Sequence, residues 1–340
     1  MVRSVRVEWP DLKTSIRIAL ADEDSPTFCD ELWKNLPFET IVAAGLSMGE
    51  MLRIPLPFSM TPGQDQKLVP IATQPPGTLV TLGLNSLMLT YGEVHEPYSL
   101  SLLGQVPAEC LHDLSNAAIK LRDAYFFNKR PHVAVVKRNN ESATQEQKET
   151  LSQSEQLTGS ASGCLTDIIT AETRRIFVTC PDEIKRFHYG LMLHSEAGKS
   201  AMNQYFGHLV HTYCGYYIMN ADITAILNLA SSGSMSLRDL KKIFDAVLLP
   251  RSIFLGDYAG QKIQAKYTKL VSDSLDQEQS LGESINSLRA YLALIGRLYW
   301  WFNWYFPWGI GPAMVHTISR SDLHEMLRLA KPYAPAIEGV

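Results

Sequence analysis

The sequence predicts a multidomain α+β protein, a β-rich half followed by an all-α half. Three observations carry this. Before residue 139 apolar residues recur with a period near two, and after residue 162 with a period near 3.6. Between them lies NNESATQEQKETLSQSEQLTGSAS, residues 139–162, whose only large apolar residues are Leu151 and Leu157. Such a stretch buries too little surface to offset its ordering entropy and reads as a flexible linker. The expected domains are residues 1–138 and 163–340, a division that suits a chain of 340 residues.

In the first half, Ile16, Ile18 and Leu20 alternate with polar residues as one face of a strand within residues 5–20. Ser25-Pro26 opens a helix, with serine as N-cap and proline in the first turn; it buries Phe28, Cys29, Leu32 and Trp33 and stops near Pro37. Residues 40–58 read as two strands around a turn at Ser47-Met48-Gly49. Residues 79–92 hold two short strands parted near Gly83, and residues 100–106 another. Pro107 begins a second helix through Tyr125, and HVAVVKR, residues 132–138, closes the half as a strand.

The second half reads as helices over residues 165–178, from Pro181 onward, over 199–230, from the capping box Ser236-x-x-Asp239 to Leu249, over 281–306 and over 313–330. The most apolar run, residues 288–306, contains Arg289, Arg297 and Asn303, so it predicts a buried helix rather than a membrane span. Four of the six tryptophans fall in YWWFNWYFPW, residues 299–308. A helix aromatic on every side predicts a docking surface between the halves or between two copies of the chain.

Composition excludes several classes. A net charge of −4 disfavours nucleic acid, and no segment reads as a signal peptide or a basic membrane-binding face. The five cysteines are scattered with no CxxC, which predicts free thiols in a cytoplasmic protein. The nearest approach to a dinucleotide fingerprint, Gly309-Ile310-Gly311-Pro312, lacks the third glycine and follows an aromatic helix. No nicotinamide cofactor is expected. His208 and His211 could supply two metal ligands, but no third stands at matching spacing, so no metal is expected either.

The order of strands and helices, with SPTFCDELW as first helix and PGTLV…LMLTYG in the sheet, resembles the cyclophilin-like β-barrel domains. A cyclophilin-like β-barrel followed by an all-α helical bundle is similar to the opine synthases of the cucumopine and mikimopine type, carried on the transferred DNA of root-inducing agrobacteria. The resemblance spans the whole chain. It implies an enzyme that joins L-histidine to 2-oxoglutarate without cofactor or metal. The α-amine and the ketone form an imine. An imidazole carbon then attacks the iminium carbon, and loss of the ring proton restores aromaticity, which is a Pictet–Spengler closure.

That chemistry needs donors for carboxylates, an acid to expel water and a base for the ring proton. Tyr91-Gly92-Glu93-Val94-His95-Glu96 ends an apolar strand, where a barrel mouth would lie. Alternation sends Tyr91, Glu93 and His95 to one face. Glu93 is the candidate base and His95 its partner or shuttle, with Tyr91 as a binding residue. A second group, Ser47, Glu50 and Arg53, flanks the hairpin turn. Glu50 is the second acid–base candidate, and Arg53 suits a carboxylate through its planar fork. His188 and His194 of the helical half are further candidates to enter the site. Two other readings compete: a peptidyl-prolyl isomerase, whose FxxxxxxFxxxxGGDF texture is missing, and a non-catalytic protein presenting the barrel on a helical homodimer.

Overall fold

The computed structural model describes residues 3–45, 49–63, 65–128, 130–139, 164–188, 201–233, 235–258, 260–277 and 280–305. The chain is α+β, with an antiparallel sheet built from the first half and helices packed along it from the second. In β1 (Ser4–Trp9) and β2 (Thr14–Leu20) every second residue is buried, so Val5, Val7, Ile16 and Ile18 line one face. Pro10 ends the run that the sequence left continuous. A short 3-10 turn, Pro10–Leu12, with Lys13 at φ 52°, reverses the chain and pairs the two strands.

Eight further strands complete the sheet: β3 (Phe38–Ile41), β4 (Ala43–Ala44), β5 (Gly49–Pro55), β6 (Leu68–Pro70), β7 (Thr78–Thr81), β8 (Ser86–Val94), β9 (Ser99–Gln105) and β10 (Val133–Arg138). Their order is β3-β10-β1-β2-β9-β7-β8-β5-β4, with β6 added to β9. The two ends of this order, β3 and β4, are separated along the chain by Val42 alone. The sheet therefore curls until its edges meet. Thr40 Oγ1 donates to the Pro55 carbonyl at 2.9 Å across the seam, but no backbone ladder joins the edges among the described residues. The closed barrel expected from the sequence is thus an open, strongly curled sheet. Two-residue β4 is too short to carry a closing ladder.

Helix α1 (Pro26–Lys34) buries Phe28, Cys29 and Leu32 in the curl. Ser25 does not cap it through its side chain; its Oγ instead accepts the Lys67 N–H at 3.3 Å, tying the following loop down. Helix α2 (Leu111–Asp123) buries Leu114, Ala117, Ala118 and Leu121 and ends in a wide turn, Ala124–Asn128.

The helical half comprises α3 (Leu165–Arg175), α4 (Asp182–His188), α5 (Ala201–Ser231), α6 (Leu237–Ile243), α7 (Leu249–Ile253), α8 (Lys262–Leu275) and α9 (Leu281–Tyr305). The predicted capping box forms: Asp239 N–H donates to Ser236 Oγ at 3.2 Å, and Ser236 N–H to Asp239 Oδ2 at 3.3 Å. No helix of the described residues is long and apolar enough to cross a membrane. The last predicted helix, residues 313–330, and nearly all of the linker lie outside the described residues.

One hydrophobic cluster runs from Val5 in the sheet to Tyr305 in α9, so the two halves share a core. A smaller cluster, Met51, Val69, Ile71, Val80, Met88 and Val94, covers the other side of the sheet. Helix α9 is the spine between the halves. Arg289 reaches the Ser59 carbonyl at 2.7 Å and Glu31 of α1 at 3.4 Å. Asn85, in the β7–β8 turn, donates to the Leu292 carbonyl at 3.1 Å and to Asn220 Oδ1 of α5 at 3.2 Å.

Candidate functional site

The site is made by an irregularity in the β5–β8 ladder. Met51 pairs with Thr90 and Gly49 with Val94, so Glu50 alone faces Tyr91, Gly92 and Glu93. A bulge of this kind bends the strand and re-aims side chains. Two glycines make it possible. Gly49 has φ +112°, and a Cβ there would lie 2.4 Å from the Glu93 carbonyl oxygen. A Cβ on Gly92 would meet Glu50 Oε2 at 1.9 Å. With no side chain in the way, the Glu50 carboxylate lies across Gly92 and accepts the Glu93 backbone N–H at 3.2 Å.

Tyr91 is half-buried beside this carboxylate. Arg122, near the end of α2, is close enough to act on its phenol. Burial pushes the phenol up, and Glu50 pushes it further, against the opposing pull of Arg122. The phenol, neutral at ordinary pH, can donate a hydrogen bond. Glu93 and His95 flank the buried Val94 and are both exposed, as strand alternation requires.

The structure therefore gathers Glu50, Tyr91 and Glu93, with His95 further along the same strand end. It gives Arg53 a different neighbour. The Arg53 guanidinium lies over the Trp300 ring of α9, 5.5 Å from its centroid, and close to the Tyr299 phenol. The second sequence constellation is thus split between the strand end and the sheet–helix interface. Ser47, like His194, lies outside the described residues, and only the backbone of His188 and His208 is described.

Sequence reasoning missed Arg122 and the polar aromatic cluster around Arg53. Arg122 sits in the last turn of α2, where a basic residue is ordinary, so nothing marked it. In the cluster, Tyr213 and Tyr299 share a hydrogen bond at 3.0 Å, and Asn303 Nδ2 donates to the Tyr213 oxygen at 3.2 Å. Tyr125 in turn donates to the Asn303 carbonyl at 3.0 Å and to its side chain. Trp304 packs edge-on against Tyr125, 4.9 Å between centroids. The described part of the aromatic run thus docks the helices on the sheet within one chain. Tyr217, four residues after Tyr213 on α5, is exposed.

Two open clefts lie where the halves meet. One, of about 380 Å³, is lined by Phe58, Ser59, Thr166, Asn286, Ser287 and Arg289 among others. The other, of about 280 Å³, touches Phe28, Gln66, Thr81, Leu84, Thr224 and Asn228. Neither includes a candidate residue from the strand end; Arg289 stands about three turns of α9 before Trp300. Among the described residues no three His, Cys, Asp or Glu side chains are placed to share a metal ion.

No protein-family model matches the chain, and no curated protein matches it in sequence. A solved structure of McbB in complex with tryptophan shares its fold: the TM-score is 0.76 at 22% identity, over 91% of this chain and 99% of McbB. The solution structure of the hypothetical protein AF2241 from Archaeoglobus fulgidus overlaps 40% of this chain and 95% of its own, at 12% identity and a TM-score of 0.29, too little to carry an argument.

Proposed function

We propose that this protein condenses an α-amino acid bearing a nucleophilic heteroaromatic ring with a 2-oxo acid, and closes the new ring by a Pictet–Spengler reaction. The substrates we assign are L-histidine and 2-oxoglutarate, with cucumopine or mikimopine as product. The observation that carries the reading is the near full-length likeness to McbB, a protein whose structure was solved with tryptophan. Tryptophan and histidine share the features the reaction uses: a free α-amine and an electron-rich ring two carbons away.

The residues at the strand end suit the steps. The amine adds to the ketone, and expulsion of water from the carbinolamine needs a proton donor. We assign this to Tyr91, a neutral phenol near Arg122. After the ring carbon attacks the iminium carbon, a carboxylate removes the ring proton. Glu93 takes this role, with His95 as relay and Glu50 as the second carboxylate. Arg53 holds a substrate carboxylate with its fork, with Ser47 as a further binding residue. Every step is proton transfer and bond formation between the substrates, so no nicotinamide or metal is required.

The test is direct. Incubation with L-histidine and 2-oxoglutarate, without added cofactor, should yield a product whose mass equals the sum of the substrates less one water. Its formation only when a reduced nicotinamide is supplied would refute the reading. Pairing of two copies through the helical half belongs to the same proposal. Exposed Ile253 and Phe254 are the residues we expect at that contact, and sedimentation reads it.

A further inference from the structure

Arg297, midway along α9, is only 2% exposed and is the one charged side chain buried to that degree among the described residues. Its guanidinium lies over two rings, 4.1 Å from the Trp301 centroid and 4.9 Å from that of Phe177. Its Nε has no hydrogen-bond partner, and no carboxylate of the described residues pairs with the group. The polar groups that act on it are the Cys180 thiol and the Tyr305 phenol, and burial pushes it down to about 9. A buried cation without an anion is costly, and aromatic faces compensate only part of that cost.

The geometry says what would complete it. Aromatic rings lie against the guanidinium, which leaves its edge as the part that can meet a ligand. All five N–H donors of a guanidinium point out along that edge, and their fork fits a planar carboxylate. At 100° per residue, Arg297, Trp300, Trp301 and Trp304 occupy a single arc of about 100° on α9. Trp300 carries Arg53 on its ring. One guanidinium from the sheet and one from the helices thus lean on neighbouring tryptophans of a single stretch of helix.

We infer that Arg297 receives the second carboxylate of a dicarboxylic 2-oxo acid, whose first carboxylate is held by Arg53. This rests on the reading above that the acceptor is such an acid. It explains why an arginine with no carboxylate partner among the described residues is kept in an otherwise apolar helix face: the substrate supplies the pairing charge.

Two measurements test it. The first uses glutarate, a dicarboxylate that cannot react, and thermal unfolding. Glutarate should raise the melting temperature of the wild-type protein, butyrate much less, and Arg297→Met should abolish the difference. Without ligand, Arg297→Met should melt no lower than wild type, because it removes an unpaired buried charge while keeping the volume. Arg297→Lys, which keeps the charge but loses the fork, should show a reduced glutarate effect and serves if the methionine variant does not fold. The second is kinetic. Arg297→Met should raise KM for 2-oxoglutarate about 10- to 100-fold and leave KM for pyruvate unchanged. Absence of any glutarate effect on the wild type, or an equal rise in both KM values, overturns the inference. If no oxo acid gives product, the catalytic reading fails while the glutarate response still reports on Arg297.

Discussion

The Glu50 carboxylate rests on Gly92 and holds the backbone N–H of Glu93 at 3.2 Å. This contact couples the two acid–base candidates through the main chain, so that one carboxylate fixes the strand from which the other projects. Adding a methyl group at Gly92 cannot be accommodated without moving Glu50, since the new Cβ would lie 1.9 Å from Oε2. Gly92→Ala should therefore lower both stability, by about 1–3 kcal/mol, and turnover. Gly83→Ala is the control: it strains the backbone, at φ +69°, but meets nothing within 4 Å. A melt of both variants together with product formation separates displacement of Glu50 from mere loss of a glycine. Equal activity in the two would count against a role for Glu50.

Glu93→Gln preserves the backbone N–H that Glu50 holds but removes proton acceptance. General-base catalysis is worth roughly 10²–10⁴-fold, so the rate should fall by that order with little change in KM. His95→Asn should cost less if the imidazole only relays. A near wild-type rate for Glu93→Gln with an inactive Glu50→Gln would move the base to the hairpin carboxylate.

Much of this was legible in the sequence, and the reasons are local. The hairpin over residues 40–58, the strands on either side of Gly83 and the capping box at Ser236 all rest on short-range chemistry, and each is present. What could not be read depends on register. Strand alternation alone places Tyr91, Glu93 and His95 on one face. It does not reveal that Glu50 faces three residues of β8, because a bulge is a relation between two strands. Arg53 looked like a neighbour of Glu50 in sequence, yet its contact is Trp300, 247 positions further on. In the sequence Arg297 is only a mark against a membrane span; nothing in one sequence says that a mid-helix arginine has no carboxylate partner among the described residues. The open seam at Val42 likewise depends on which strands end the sheet.

Helix α9 bonds to the turn of the sheet through one amide. Asn85 spans the Leu292 carbonyl and Asn220, and a Cβ on Gly296 would lie 2.1 Å from its Nδ2. Because a single core joins the halves, we expect cleavage within residues 139–162 to leave a nicked complex that co-migrates on gel filtration. Asn85→Ala and Gly296→Ala should loosen it, each by about 1–3 kcal/mol, read as a lower urea midpoint for the nicked form. First cleavage inside the sheet instead of the linker would overturn the boundary we propose.

The last prediction concerns pH. Glu183 of α4 accepts the Ile263 N–H at 3.2 Å at the start of α8. Burial pushes its carboxyl up from the ordinary 4.5, and the N–H groups of Ile263 and Lys262 oppose this without cancelling it. A carboxyl with a raised value in the folded state binds its proton more tightly there than in the unfolded chain. Below about pH 4.5 both states are protonated and nothing is lost. As pH climbs from there through the raised value, the unfolded chain gives up its proton first, so stability falls; above that value the loss is complete and the profile levels. Glu183→Gln keeps an acceptor for the Ile263 N–H and has no proton to lose. The difference in melting temperature, variant minus wild type, should therefore grow as pH rises across that window and then stay constant. A difference that shrinks over the same window would mean that the helix N-terminus, and not burial, governs this carboxylate.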